Sequence, residues 1–252
     1  MPLPPRRVAL SFLAHPDDAE FLCAGTLVRL AESGWETHIA TATPGDAGSA
    51  TLPAEEIAAI RREEGRAAAR LIGASYHCLE ERDVNVVFDR VANRKAIDLF
   101  RQIAPTLVFT HPRLDYMLDH EQVHLLARSA CFSYAIPNAS SLPRIENSQV
   151  PWLYYCDPIE AHDPYTGADA LVTTLVDISR QMPRKTEMLA CHASQREWLR
   201  AHHGMDEYID AMNRHSAARG KLAGTDYAEA FFQHRGHPYP QGDILRELFS
   251  LE

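Results

Sequence analysis

The sequence has few cysteines, no long apolar run and no surplus of positive charge, and each of these absences excludes a class of protein. Its five cysteines are scattered over 252 residues, and no two of them form a Cys-x-x-Cys pair. Because the number is odd and the spacing wide, we expect reduced thiols in a cytoplasmic protein. No apolar stretch approaches the ~20 residues of a membrane span, and no signal-peptide core follows the N-terminal arginines. We therefore expect no membrane partner.

The charge balance is acidic. Lys and Arg number 25 against 34 Asp and Glu, which gives a formal net charge of −9. A nucleic-acid partner requires a basic face, so this balance predicts none and leaves a small molecule as the expected partner. With 46% hydrophobic and 23% charged residues the chain is able to bury a large core, and we expect a single domain over residues 1–252.

Short apolar runs alternate with amphipathic segments through the first half of the chain. Parallel strands require crossovers, usually helices, so this alternation predicts an α/β fold with a Rossmann-like, mostly parallel sheet flanked by helices. Ligands of such sheets bind beyond the carboxyl ends of the strands. The predicted strands cover 8–14, 37–42, 76–79 and 106–110, and the predicted helices cover 20–33, 53–72, 91–103 and 119–130.

The C-terminal part is predicted to be an elaboration of this sheet. We expect strands over 152–156 and 171–178 and a helix over 183–200. The segment 213–242, which contains Pro238 and Pro240, is predicted to be a partly irregular tail.

Histidines and carboxylates follow two of the predicted strands. His15 and Asp18 follow the first strand. If the fourth strand is its neighbour, a second group faces the same crevice at the carboxyl edge of the sheet. This second group consists of His111, Asp115, Asp119, His120 and His124.

Such a set suits a catalytic metal. Zinc in hydrolases takes three ligands from His and carboxylate and keeps an open position for water. The spacing of His15 and Asp18 across a strand-to-helix turn allows both to reach one ion, which leaves Asp17 free to act as a base. The alternative is structural, because either aspartate could simply cap the helix that follows.

The segment His15-Pro16-Asp17-Asp18-Ala19-Glu20 after a buried strand resembles the signature of the LmbE-like (PIG-L) family of zinc-dependent N-acetyl-sugar deacetylases. The resemblance runs along nearly the whole chain. It includes Thr43-Pro44-Gly45-Asp46, Ile60-Arg61-Arg62-Glu63-Glu64, Asp115-Tyr116-Met117-Leu118-Asp119-His120, Asp177-Ile178, His192-Ala193-Ser194-Gln195 and Tyr227-Ala228-Glu229-Ala230-Phe231.

The resemblance implies one Zn²⁺ per chain, or another divalent metal, held by His15, Asp18 and His120. It implies that Asp17 is the general base, that the substrate is an N-acetylated sugar or a similar polar amide, and that the chain forms trimers or hexamers. The sequence departs from the family at Met117, where many members have a histidine that stabilises the oxyanion or protonates the leaving amine.

A thioether does neither job, so we expect His124, Asp115 or a histidine from the C-terminal half to take over the missing role. A different zinc chemistry is the other possibility, because the family also resembles a zinc-dependent hydratase. A hydratase or lyase acting on a carboxylated small molecule is therefore a second hypothesis. A metal-stabilised binding protein without turnover is a third.

Three further side chains are candidates for substrate binding. The family resemblance favours Arg61 as a residue that orients the substrate or the carboxylates of the metal site, although on a long helix it could equally form a surface pair with Glu64. Arg196 and His202 lie in a segment rich in polar and aromatic residues and would line the substrate entrance. The alternative for His202 is a solvated helix end or a contact between subunits.

Overall fold

A seven-stranded sheet runs through the described part of the computed structural model, which comprises residues 4, 6–144, 146, 148–196 and 208–249. Its order is β3-β2-β1-β4-β5-β7-β6, and it is parallel except that β7 runs antiparallel to both of its neighbours. The prediction of a mostly parallel α/β sheet is confirmed. The strands are β1 (Val8–Leu13), β2 (Glu36–Thr41), β3 (Ser75–Cys78), β4 (Leu107–Thr110), β5 (Trp152–Cys156), β6 (Thr174–Asp177) and β7 (Ala228–Gln233).

Helices connect the strands and cover the sheet. Among the described residues, no helix is long and apolar enough to cross a membrane. The helices are α1 (Asp18–Leu22), α2 (Ala24–Glu32), α3 (Ala54–Arg70), α4 (Arg90–Ile103), α5 (Leu118–Ser133), α6 (Met182–Ala190), α7 (Tyr208–Ala223) and α8 (Ile244–Phe249), with a short 3-10 turn at Pro137–Ala139.

The central strand β1 is buried along its whole length. Successive side chains of a strand point to opposite faces, and those of β1 divide accordingly between two apolar cores. Ala9 and Leu13 belong to one core, whereas Leu10 and Phe12 belong to the other. A nearly continuous apolar run is what a strand covered on both faces requires.

The chain reverses its direction of winding at β1. From β1 it proceeds outward to β2 and β3, then returns to place β4 on the other side of β1 and β5 beyond it. In an open α/β sheet the crevice at such a reversal is where ligands bind. The loops after β1, β3 and β4 all reach this crevice.

Three predictions for individual elements are wrong. The helix predicted over 20–33 is two helices, because the backbone of Cys23 leaves the helical region between α1 and α2. The helix predicted over 183–200 ends at Ala190, and a new helical turn starts at 193. The predicted tail over 213–242 contains most of α7 and all of β7, a strand that lies inside the sheet between β5 and β6.

Candidate metal centre

Three buried side chains meet beyond the carboxyl ends of β1 and β4. His15 and Asp18 come from the turn after β1, and His120 comes from the first turn of α5. The Nδ1 atom of His15 lies 3.3 Å from Nε2 of His120 and 3.4 Å from Oδ2 of Asp18. The Nε2 atom of His120 lies 3.7 Å from Oδ1 of Asp18.

These separations suit a tetrahedral ion. Ligand atoms about 2.0–2.1 Å from a tetrahedral zinc are about 3.4 Å from one another. The donor set, two imidazole nitrogens and one carboxylate, is also that of catalytic zinc sites. The structure therefore brings the three predicted ligands together in an arrangement that fits a metal ion.

Carboxylates hold the far nitrogen of each histidine. Nδ1 of His120 lies 2.9 Å from Asp115, and Nε2 of His15 lies 3.0 Å from Asp83 and 3.4 Å from Asp119. A carboxylate behind a metal-binding imidazole fixes its orientation and tautomer and raises its basicity. Asp115, expected from the sequence to take part in the chemistry, is placed instead as a group that orients His120.

Two other carboxylate and histidine groupings lie close together, and several of their atoms already have protein partners. Asp119 accepts hydrogen bonds from the backbone N–H groups of Val84 at 2.8 Å and Val86 at 3.2 Å. The ring of His111 stacks on that of His120, and its Nε2 accepts from the backbone N–H of Ala14 at 2.9 Å. These residues are better described as the frame of the site than as its ligands.

The charges of the site favour a bound cation. Burial by itself lowers the pKa of His15, but the carboxylates of Asp119, Asp18 and Asp83 overcome it and raise that pKa well above its ordinary value. For Asp18 burial acts to raise the pKa, and the imidazoles of His120 and His111 outweigh it and hold the pKa well below its ordinary value. The carboxylates therefore stabilise positive charge at the position where a metal would lie.

Asp17 stands beside the three ligands in a strained backbone conformation. Its φ of 115° is unusual for a residue other than glycine and costs on the order of 1–3 kcal/mol. Arg61 lies behind it, donating to Asp17 Oδ2 at 3.4 Å and to the carbonyl of Pro16 at 2.8 Å. Burial raises the pKa of Asp17, and the Arg61 guanidinium opposes the rise. A carboxylate with a raised pKa is suited to exchanging protons near neutral pH.

The buried position of Arg61 depends on two glycines. A Cβ atom at Gly45 would lie 2.0 Å from Arg61 Nη1, and one at Gly48 would lie 2.7 Å from the same atom. Gly45 also has a φ of +73° and accepts a hydrogen bond from Arg61 through its carbonyl at 3.2 Å. Arg61 is thus held by the loop and by Asp17, which excludes a surface pair with Glu64. It also lines the cavity of the three ligands, and its Nε has no hydrogen-bond partner among the described residues.

The remaining predicted residues are dispersed. His124 is buried one turn beyond His120 but lines a neighbouring cavity and not the one that contains the three ligands. The structure therefore does not bring it together with Asp17. Arg196 is exposed at the end of the described segment, and His202 lies outside the described residues. Met117 lines the cavity that contains the three predicted ligands, which we call the metal cavity. The residue that departs from the family pattern therefore faces the site.

Sequence reasoning missed several residues of this cavity. Asp83 follows β3, and Tyr116, Gln195 and Tyr208 line the cavity from three different segments. The ring of Tyr116 meets that of His120 edge to face at 5.3 Å. The rule that ligands collect beyond strand ends would have found Asp83. Gln195 lies in a motif of the family resemblance and Tyr208 in the polar and aromatic segment near it, but neither pattern indicated that these residues reach the cavity.

Comparison with known proteins supports this description. Residues 10–131 match the PIG-L family, described as GlcNAc-PI de-N-acetylase. The 4-oxalmesaconate hydratase of Pseudomonas putida is 25% identical over 199 residues, which cover 76% of this chain and 75% of the relative. The diacetylchitobiose deacetylase of Thermococcus kodakarensis is 26% identical over 192 residues, which cover 72% of this chain and 67% of the relative.

A solved structure shares the fold. The N,N'-diacetylchitobiose deacetylase from Pyrococcus horikoshii superposes with a TM-score of 0.77 at 24% identity, covering 95% of this chain and 89% of the other. The sequence relatives of this chain thus include proteins named for two different reactions, a hydratase and a deacetylase.

Proposed function

From the match of residues 10–131 to the PIG-L family, we propose that the chain is a zinc-dependent hydrolase acting on an N-acetylated sugar or a similar polar amide. The observation that carries the proposal is the position of Asp17. It places a buried carboxylate, with a raised pKa, directly beside a ligand set of two histidines and one aspartate. A free base next to a metal site is the arrangement that activates water.

The residues of the site have separate tasks in this reaction. His15, Asp18 and His120 would hold the ion. When bound there, zinc would act as a Lewis acid that polarises an amide oxygen and lowers the pKa of a water molecule to about 7. Asp17 takes the proton from the attacking water, and Arg61 holds Asp17 in place.

The amide C–N bond then breaks, and its nitrogen needs a proton. Met117 has none to give. Asp17, protonated in the first step, is the donor that we assign, because it is then the acid next to the reacting centre, and burial favours its protonated form. Burial also raises the pKa of Tyr116, which keeps this phenol protonated and able to donate a hydrogen bond within the same cavity.

A hydratase or lyase reaction is the second candidate, and Met117 is the observation that favours it. Addition of water to a carbon–carbon double bond releases no amine, so it does not require the acid that the thioether fails to provide. The relative from Pseudomonas putida is named as a hydratase, which supports this candidate from the sequence side. Asp17 would again take the proton from water and would then return it to the other carbon of the former double bond.

The first test replaces Asp17 with asparagine. Asp17→Asn removes the base but keeps the shape of the side chain, so we expect the metal content to stay unchanged while turnover falls by about 10²–10⁴-fold. Metal analysis and initial rates on the same preparation measure both quantities. Full activity in this variant would overturn the assignment of Asp17. The absence of any turnover in the metal-loaded parent, over amide and unsaturated acid substrates, would favour a binding protein.

The second test separates the two reactions. Purified metal-loaded protein is assayed with diacetylchitobiose, following free amine, and with an unsaturated dicarboxylic acid, following loss of the conjugated absorbance. Amine release supports the hydrolase, and loss of absorbance alone supports the hydratase. Met117→Leu is the matched control for Met117→His, since only the histidine restores an acid; a gain of amine release in Met117→His alone would show that the departure limits deacetylation.

A further inference from the structure

A second cavity lies beside the metal cavity and shares none of its lining residues. Its volume is about 440 Å³. Residues 112–114 line the second cavity, whereas Tyr116 and Met117 line the metal cavity, so the segment after β4 forms the wall between them. The lining of the second cavity is mostly apolar, with a few polar groups. A cavity of this composition is typical of a small-molecule site.

One of these polar groups is a buried histidine with an unsatisfied atom. His124 is 2% exposed, and its Nδ1 donates to the backbone carbonyl of His111 at 3.0 Å. A carbonyl only accepts, so Nδ1 carries the proton of the ring. Burial lowers the pKa of His124 to about 4, which keeps the ring neutral and leaves Nε2 as a bare acceptor. Nε2 has no hydrogen-bond partner among the described residues.

A cationic side chain lies one helical turn further along. Arg128 follows His124 by four residues on α5, so the two share a helix face and both line the cavity. Among the described residues no hydrogen bond or ion pair engages its guanidinium, which lies at the exposed mouth. A ligand that reaches Nε2 of His124 therefore passes a free positive charge.

Flat aromatic surfaces form part of the wall. The ring of Tyr155 lies 4.6 Å from that of His124, and Phe232 stacks on Tyr155 at 6.2 Å. The hydroxyl of Tyr155 is paired with Nδ1 of His234 at 2.8 Å, so it presents its ring rather than a free polar end. A planar apolar body fits against this surface.

Three carboxylates, those of Asp157, Asp163 and Asp169, also belong to the lining of the cavity. Asp157 is paired with the guanidinium of Arg219, at 2.5 and 2.9 Å. Asp163 accepts hydrogen bonds from two backbone N–H groups of its own turn. At the rim, Asp169 and Arg113 are both exposed and carry opposite charges. Among the described residues, the guanidinium of Arg128 has no ion-pair partner in this lining.

We propose that this cavity binds a small aromatic hydroxy acid at a site separate from the metal centre. The hydroxyl of the ligand donates to Nε2 of His124, its ring lies on Tyr155 and Phe232, and its carboxylate pairs with Arg128. The site is independent of which reaction the metal centre performs.

The test uses the metal-loaded protein and three probes in isothermal titration calorimetry. 4-Hydroxybenzoate offers both groups, benzoate lacks the hydroxyl donor, and 4-hydroxybenzamide lacks the charge. Arg128→Gln should weaken both carboxylates by about fivefold and leave the amide unchanged. His124→Phe fills the same space without the acceptor and should weaken the two hydroxylated probes by about tenfold but not benzoate. Arg66→Gln, which changes an exposed arginine on α3, is the control and should change none of them.

Two results would overturn the proposal. One is the absence of 4-hydroxybenzoate binding to the parent protein. The other is binding that neither Arg128→Gln nor His124→Phe weakens, including binding that disappears when the metal is removed with a chelator, because that ligand would sit on the metal. Arg128 is exposed, so its variant keeps the test decisive even if His124→Phe unfolds, which the thermal midpoint reveals.

Discussion

The molecule buries charged side chains in two regions, the candidate metal centre and the C-terminal part, and the two regions differ in how these charges are paired. In the C-terminal part Lys185 pairs with Glu229 at 2.7 Å, and Glu229 also accepts from the backbone N–H groups of Gly25 and Thr26 at the start of α2. Both members of the pair are buried. Each charge there is met by an opposite charge or by a helix N-terminus.

At the candidate metal centre, positively charged protein groups do not balance the negative charge of the carboxylates. Four aspartates surround His15 and His120, namely Asp18, Asp83, Asp115 and Asp119. The raised pKa of His15 shows that these carboxylates stabilise positive charge at this position, and a divalent cation would supply it. Burial of charge is thus common to both regions. What distinguishes the candidate site is that protein groups alone do not complete it.

The largest expected effect comes from removing a ligand. His120→Ala should reduce the metal content from about one ion per chain to a small fraction and abolish turnover, because two ligands do not hold a catalytic ion tightly. Elemental analysis after dialysis and initial rates provide the measurement. His162→Ala, which changes a histidine outside the site, is the control. Retention of a stoichiometric metal in His120→Ala would show that the ion lies elsewhere, and the two regions would then no longer differ in the need for a metal ion.

The next effect breaks the C-terminal pair. Lys185→Met leaves the Glu229 carboxylate buried without its cation, and we expect the free energy of unfolding to fall by about 3–5 kcal/mol. Urea denaturation measures the loss. The double variant Lys185→Met with Glu229→Gln should recover part of it, while Arg184→Gln on the exposed side of α6 should change it by about 1 kcal/mol or less. The metal content of the folded Lys185→Met protein should stay normal, and a selective loss of metal would contradict a purely structural role.

The smallest expected effect tests whether Asp115 acts by orienting His120. Asp115→Asn weakens the group that orients His120, and the metal affinity should fall by about 10–100-fold. Competition with a chromogenic chelator measures the affinity, and Asp210→Asn, at an exposed position of α7, is the control. If the affinity is unchanged but turnover is lost, Asp115 acts in the chemistry, as the sequence suggested.

The parallel half of the fold could be predicted because its signals are local. The apolar run of β1 is buried on both faces, and His15 and His120 follow strands that turn out to be neighbours. In the C-terminal half local patterns predicted β5 and β6 but not β7. β7 is an internal strand that carries the buried Glu229, and its partners β5 and β6 lie far from it in sequence, so its pairing depends on contacts that no local pattern encodes.

His124 also shows that local patterns do not predict tertiary contacts, because it lies outside the site in which the sequence placed it. Four residues along a helix advance a side chain by about 6 Å and rotate it by about 40°. That shift carries His124 past the wall formed by the segment after β4 and into the second cavity. Helical spacing alone does not reveal where such a wall stands.

The sequence by itself determined the alternation of strands and helices and placed candidate metal ligands after β1 and after β4, because strand ends and helix starts are encoded locally; the choice of His120 came from the family resemblance. Only the tertiary structure decided that Asp83, Asp115 and Asp119 stand behind the histidines, that Arg61 is buried against Asp17, and that His124 belongs to another cavity. Those positions depend on how distant loops pack against one another at a single edge of the sheet.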